Sequence, residues 1–167
     1  MDKQMLKEKL IDYSKGDNLH WYWTLFRLRG QAKNRLVKSM LTFLCSRSAH
    51  RHGGYIGSGA QIEGIPTLPH GLHGIYISRY ASVSTNCWIY QNVTIGEVNR
   101  KAPKIGCNCM IGAGAVIVGN IQIGENVKIG AGAVVSSDIP DNCTVVSPQP
   151  RIIPRPGALS EQEEILP

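Results

Sequence analysis

The sequence predicts a mainly β fold: a solenoid of short parallel strands with a helical segment in front. Three observations predict it. An aliphatic residue returns every six positions from residue 56 onward. Glycine often follows it directly. Glycine is also frequent, at 18 of 167 residues, while aromatics make up only 7%, which favours short strands and tight turns over a helical bundle. The expected division is a helical cap over 1–52, the solenoid over 53–153 and a tail over 154–167.

Residues 19–49 are expected to be helical. Leu36, Val37, Met40, Leu41 and Leu44 form an apolar stripe, with Arg35, Lys38 and Arg47 mostly off it. Upstream, His20-Trp21-Tyr22-Trp23 and Phe26 concentrate the aromatic content. The segment reads as a cap over the first coil, whose open strand edges would otherwise invite pairing. The net charge of +6 also belongs here. Residues 1–52 hold 11 Lys/Arg against 4 Asp/Glu, and the remainder holds 7 against 8. A basic segment can seek nucleic acid or an anionic membrane. A solvated helix face is the plainer reading, so no nucleic-acid partner is expected. Peripheral contact of the basic helix with a membrane surface is the sharper alternative.

The five cysteines show no paired framework, and residues 1–20 are charged throughout with no apolar h-region. No stretch approaches the roughly 18 apolar residues of a membrane span. A reduced, cytoplasmic protein is expected, with the inner face of a membrane as its alternative location.

The six-residue beat falls into three groups. The first is Ile56, Ile62, Leu68; the second Ile77, Val83, Ile89, Ile95; the third Ile105, Ile111, Ile117, Ile123, Ile129, Val135. A period of six fits neither a 3.6-residue helix nor a meander, but it fits a β-solenoid that turns a corner every hexapeptide. The aliphatic residue fills the column, and the glycine beside it is expected to permit the corner backbone. Four positions on lies a second, usually small inward residue, including Cys87 and Cys109. With Cys109 on the inward row and Cys107 expected on the other side of the wall, a metal pair is not expected. Thirteen hexads at 18 residues per coil give a little over four coils, a column of roughly 20 Å.

The beat breaks twice. Leu68 to Ile77 is three residues too long and carries His70 and His73; Ile95 to Ile105 is four too long and carries Arg100, Lys101 and Lys104. Insertions in a solenoid become loops thrown off the column, where functional residues tend to live. The loops are expected to approach each other from adjacent coils or adjacent subunits. No carboxylate lies in the first insert, so its histidines are not read as a metal site.

The hexads, the histidine-bearing insert and the run KIGCNCMIGAGAVIVGNIQIGENVKIGAGAVV resemble the hexapeptide-repeat acyltransferases, most of all the serine acetyltransferase branch, over residues 53–153. The resemblance implies a left-handed parallel β-helix, a homotrimer with active sites between subunits, acetyl-CoA as acyl donor and a catalytic histidine. Periodicity alone does not fix the hand. The family places its catalytic histidine in an Asp-His-Ala-Thr-Gly-Ile stretch; here the stretch is Pro69-His70-Gly71-Leu72-His73-Gly74-Ile75. His70 is the better match counted from the N-terminal side, and His73 enters when counted back from Gly74-Ile75. A neutral imidazole would take the acceptor's hydroxyl proton as that oxygen attacks the thioester.

On the donor side, Gly112-Ala113 and Gly130-Ala131 lie one coil apart, where small residues let a pantetheine arm approach the backbone. Ser136 with Ser137 replaces the Thr-Lys often found in relatives, and Arg151 with Arg155 is expected to hold CoA phosphates.

The acceptor side departs from the pattern. Fifteen residues before His70, where the family has an orienting Asp, stands Tyr55; Glu63 is the nearest acidic alternative. Pro69 replaces the Asp beside the histidine, and Lys101-Ala102-Pro103-Lys104-Ile105 replaces Arg-His-Pro-Lys-Ile, leaving Lys101 and Lys104 as acceptor-binding candidates. These losses favour a sugar hydroxyl of polysaccharide assembly as acceptor. Serine is the alternative acceptor. A non-catalytic β-helix scaffold is the alternative of another class, motivated by the missing Asp.

Overall fold

The computed structural model describes residues 19–149 and 151–153. Among the described residues two helices come first, α1 (His20–Gln31) and α2 (Arg35–Arg51). The predicted single helical stretch is broken at 32–34, where Asn34 leaves helical geometry and its side chain accepts hydrogen bonds from the Leu36 and Val37 backbone N–H groups. That is an ordinary N-cap, and it restarts the helix.

The thirteen strands that follow form three parallel faces. Face A stacks β1 (Tyr55–Ile56), β3 (Tyr76–Ile77), β6 (Thr94–Gly96), β9 (Val116–Val118) and β12 (Val134–Val135). Face B stacks β2 (Gln61–Ile62), β4 (Ser82–Val83), β7 (Lys104–Ile105) and β10 (Gln122–Ile123). Face C stacks β5 (Trp88–Ile89), β8 (Met110–Ile111), β11 (Lys128–Ile129) and β13 (Thr144–Val145). The chain visits A, B and C in turn, so every neighbour in a face belongs to the next coil. The register joins the predicted beat to itself: Ile77 pairs with Ile95, Ile95 with Ile117, Ile117 with Val135.

The beat residues point inward. Ile77, Val83, Ile89, Ile95, Ile111 and Ile117 have no exposed surface, and the second inward row of Ala81, Cys87, Val93, Cys109, Ala115 and Val127 is buried with them. Each buried aliphatic contributes roughly 1.5–3 kcal/mol. The thiols of Cys87 and Cys109 donate to the next coil's carbonyls, Gly106 at 3.3 Å and Gly124 at 3.1 Å. Contact with Cys109, then burial, pushes the Cys87 thiol up. The end coils are leakier: Ile62 and Leu68 at the first and Ile139 and Val145 at the last are only partly buried, because each end coil has a neighbouring coil on one side only.

The glycines after the beat residues serve a different purpose from the one expected. None of Gly57, Gly106, Gly112 and Gly124 has a positive φ. A Cβ at Gly106 would sit 2.5 Å from the Gly124 carbonyl oxygen, and one at Gly112 would sit 2.6 Å from the Ala131 nitrogen. These glycines let adjacent coils touch. The left-handed corners belong instead to the residue just before the small inward position: Asn86, Asn92, Asn108 and Asn126, or Gly74, Gly114 and Gly132.

The last coil is shorter than the beat predicts. Ile129 pairs with Val145, sixteen residues on, and Ile139 bridges Ile123. Ile139 thus joins face B four residues after Val135, not six.

The cap packs through an unexpected side. Tyr22, Cys45 and Ala49 are buried, whereas most of the predicted stripe faces outward: Leu36, Val37 and Met40 are 80%, 43% and 58% exposed, with Phe43 near them at 68%. Small residues on the α2 side that meets β1 allow close approach, and the larger ones are left outside. Burial pushes the Tyr22 hydroxyl pKa up, and that hydroxyl has no partner among the described residues.

Candidate active site

The topology sorts the two insertions onto different corners. The first, 69–75, joins face C to face A. The second, 97–103, joins face A to face B. Within one chain they flank the width of face A and do not meet. The notion that they meet on adjacent coils is therefore excluded for a single chain.

The first insertion is less detached from the column than a loop thrown off it. Leu72 and Ile75 are fully buried, so two of its side chains belong to the core. Gly53 and Gly54, directly after α2, clamp it from above: Gly74 donates to the Gly53 carbonyl at 2.9 Å, and Tyr55 donates to the Ile75 carbonyl at 2.8 Å. A Cβ at Gly54 would collide with the Leu72 carbonyl oxygen, so only glycine lets the helix end come this close. From below, Asn92 donates to the His73 carbonyl at 3.0 Å. A Cβ at Gly74 would collide with the Asn92 side chain, and Gly74 has φ +67°.

This clamp aims the two imidazoles differently. His73 lies against Gly53, with its Nδ1 3.5 Å from where a Gly53 Cβ would be. His70 is exposed, and its ring centre lies 6.2 Å from that of Tyr90, one coil below. Tyr90 did not figure in the sequence reading. Its signal was available: it follows inward Ile89 and must point outward.

The predicted donor-side motif lies on the same corner. Gly112-Ala113 and Gly130-Ala131 both join face C to face A, directly down the column from His70. A continuous backbone ladder runs along this edge. Gly114 donates to Gln91 at 3.0 Å and Gly132 to Ala113 at 2.8 Å, while the Ser147 hydroxyl donates to the Ala131 carbonyl at 3.1 Å. Cβ atoms at Gly114 or Gly132 would meet nothing closer than 3.8 Å, so the strip beside the ladder is open. The Gln91 Oε1 is a buried acceptor without a partner among the described residues, on this same edge. An open strip of small residues with a spare acceptor suits a narrow chain that carries amide N–H groups. Four coils at ~4.8 Å separate the His70 corner from the Ser147 corner, about 19 Å.

Other predicted residues lie elsewhere. Lys101 is in a hairpin at the corner between faces A and B. Val98 and Lys101 exchange backbone hydrogen bonds at 2.8 and 3.1 Å around Asn99 and Arg100, both at positive φ, a two-residue type I′ pattern. The buried Ser78 hydroxyl donates to Glu97 and ties this hairpin to the coil above. Lys104 opens β7 on face B, and Ser136 follows β12 on the hairpin's corner. Glu63 lies at the corner between faces B and C, in a cleft of about 530 Å³ under α1 that also touches His20, Trp23 and Arg27. Glu63 is therefore on a different corner from His70. Tyr55, at the expected Asp position, stacks on Tyr76 with ring centres 5.0 Å apart. Arg151 is exposed beyond β13, and Arg155 and the predicted tail lie outside the described residues.

Residues 102–137 match the family model described as bacterial transferase hexapeptide (six repeats). A serine acetyltransferase of Synechococcus elongatus is 39% identical over 142 residues, 83% of this chain and 54% of its own length. One of Staphylococcus epidermidis is 32% identical over 149 residues, 83% of this chain and 66% of its own. The chain thus spans between about half and two thirds of these relatives. Among solved structures, Neisseria gonorrhoeae serine acetyltransferase superimposes with a TM-score of 0.67 at 36% identity, covering 75% of this chain and 52% of that one. The soybean apoenzyme gives 0.67 at 33%, covering 76% and 54%. The solenoid is accordingly the left-handed parallel β-helix that the resemblance implied. Residues 102–137 thus carry hexapeptide transferase repeats, and the motif-bearing corner, the two inserts and these likenesses make the chain similar above all to the serine acetyltransferases.

Proposed function

We propose that this chain is an acetyl-CoA-dependent O-acetyltransferase, working as a homotrimer with His70 as general base. The observation that carries the reading is the shared corner: the exposed imidazole of His70 tops the same edge that presents Gly112-Ala113 and Gly130-Ala131. The strip holds the donor's narrow arm, which supplies an activated acetyl thioester at the His70 end. His70 removes the proton from the acceptor hydroxyl as the new O–C bond forms. When the C–S bond breaks, His70 returns that proton to the departing sulfur, which leaves as the free thiol of CoA. His73, turned toward Gly53, serves the loop and the acceptor side. Arg151 supports the far end of the donor.

The trimer rests on face A. Its outer row is Tyr55, Tyr76, Thr94, Val116 and Val134, with Tyr76 51% and Val134 72% exposed. The outer row of face B is polar: Gln61, Ser82, Lys104, Gln122. Three copies with face A turned to a common axis hide the apolar row. That arrangement sets the His70 corner of one copy beside the hairpin corner of the next, and so gathers Lys101 and Ser136 at the site from a second subunit.

Serine is the acceptor the relatives' names favour, ahead of the polysaccharide sugar expected from the sequence. A sugar stands as the second reading on one observation: where serine would be held, this chain carries Pro69 and the buried Ala102. The test follows free thiol from acetyl-CoA with serine, with sugars and with no acceptor. Acceptor-dependent thiol release is expected. No release above the no-acceptor rate, with no acetyl-CoA binding by calorimetry, would mark the chain as a scaffold.

Peripheral membrane contact is proposed at the outward stripe of α2, where Leu36, Met40 and Phe43 are exposed beside Arg35, Lys38 and Arg47. No helix among the described residues is long and apolar enough to cross a membrane. Co-sedimentation with anionic but not neutral vesicles, lost in a Leu36→Ser/Phe43→Ser variant, is expected. Equal binding to both vesicle types, or none, rejects it.

A further inference from the structure

Face C carries something that neither the column nor the acetyl-transfer step requires. Trp88 and Tyr90 point outward on either side of buried Ile89, and Asn86 sits at the left-handed corner just before them. Trp88 is 47% exposed, and Met110 beside it is 36% exposed. Together with Asn108 they line a shallow hollow of about 420 Å³. One end of the hollow is Tyr90, whose ring lies 6.2 Å from that of His70, tilted by 53°. The other end is a pair of side-chain amides, Asn86 donating to Asn108 at 3.3 Å. The corresponding row on face B is Gln61, Ser82, Lys104 and Gln122, so the coil tolerates small or polar residues at these outward positions. Nothing in the ladder itself demands an indole at 88.

We propose that Trp88 and Tyr90 form an aromatic shelf that stacks a pyranose ring of the acceptor and delivers one of its hydroxyls to His70. This rests on the acetyltransferase reading above and deepens its second reading, a sugar acceptor. A pyranose presents a flat face of C–H groups to the electron-rich face of an aromatic ring, and a rim of hydroxyls to amides. The hollow offers both, in that order, and ends at the base. At about 420 Å³ the hollow is far larger than one free serine and suits linked rings. Serine has no ring face and gains nothing from an indole. With face A turned toward the trimer axis, face C forms the outer wall of the groove, so the shelf stays open to a bulky acceptor.

The test uses the full chain and a panel of methyl pyranosides and disaccharides in gluco, galacto, manno and N-acetyl configurations, with serine alongside. Saturation-transfer NMR reads binding, and thiol release from acetyl-CoA reads turnover. Expected is transfer from the protein to the ring-face protons of at least one sugar, and faster thiol release with that sugar than with serine. Trp88→Ala or Tyr90→Ala should raise the KM for that sugar about 3- to 10-fold each while retaining kcat, the range of one aromatic contact. Trp21→Ala, on exposed α1, should leave that KM unchanged. Serine turnover with no sugar bound or acetylated overturns the shelf and leaves the acetyltransferase reading intact. A sugar KM indifferent to Trp88→Ala and Tyr90→Ala overturns it as well. Sugar binding that both variants abolish, with no His70-dependent thiol release from any acceptor, would instead sink the acetyltransferase reading and keep the shelf.

Discussion

Replacing His70 with alanine is expected to lower kcat by about 10²–10⁴-fold, the usual worth of a positioned proton acceptor. Affinity for acetyl-CoA should hardly change, because the donor strip begins two coils below the imidazole. Folding should also survive. His70 is exposed, and Leu72, Ile75, Gly54 and Gly74 hold the insertion. His73→Ala should cost much less, and chiefly in acceptor KM. Steady-state kinetics and thermal melts on both variants decide between the imidazoles. A near wild-type kcat for His70→Ala, or a larger loss at His73, would move the base to the other residue.

The second large effect concerns assembly. Val134→Glu should leave the column folded and break it into monomers, since Val134 is 72% exposed on the outer row of face A. Three carboxylates brought together around an axis repel one another and lose their hydration. Acetyl transfer should fall below a hundredth of the wild-type rate, because the hairpin corner of the neighbour is then missing from the site. Sedimentation velocity beside circular dichroism checks it. A folded monomer that retains full activity would show that one chain holds the whole site. A folded trimer would show that face A is not the interface.

Much of this site was legible along the chain, and the misses have physical causes. The corners of the two inserts follow from counting hexads in threes: the first insert comes after three, the second after four more, so they must fall one face apart. The expectation that the loops meet from adjacent coils passes over that count. His70 and the Gly-Ala pairs share a corner by the same count. Tyr90 was overlooked because it breaks no pattern; it is merely the outward neighbour of Ile89. Leu72 looked like part of a loop because the beat had stopped, yet a six-residue rule says nothing about an apolar side chain inside an insertion. The stripe on α2 was legible as a stripe. Which side of a helix meets the column depends on how close two backbones can come, and Cys45 and Ala49 won that contest over Leu36 and Phe43.

The sequence by itself determined the coil, though not its hand, because a period of six fits a solenoid that buries every sixth side chain while each strand hydrogen-bonds to the next coil. It determined, too, which side chains face inward and where the column is interrupted. Only the tertiary structure decided what the interruptions look at. Gly54 and Gly74 dock the first insert by backbone contacts too close for any Cβ, and that docking turns His73 toward the helix end and His70 toward Tyr90. Such contacts join residues from different coils. Their outcome depends on how a short loop closes against fixed neighbours, a matter of distances that no spacing along the chain encodes.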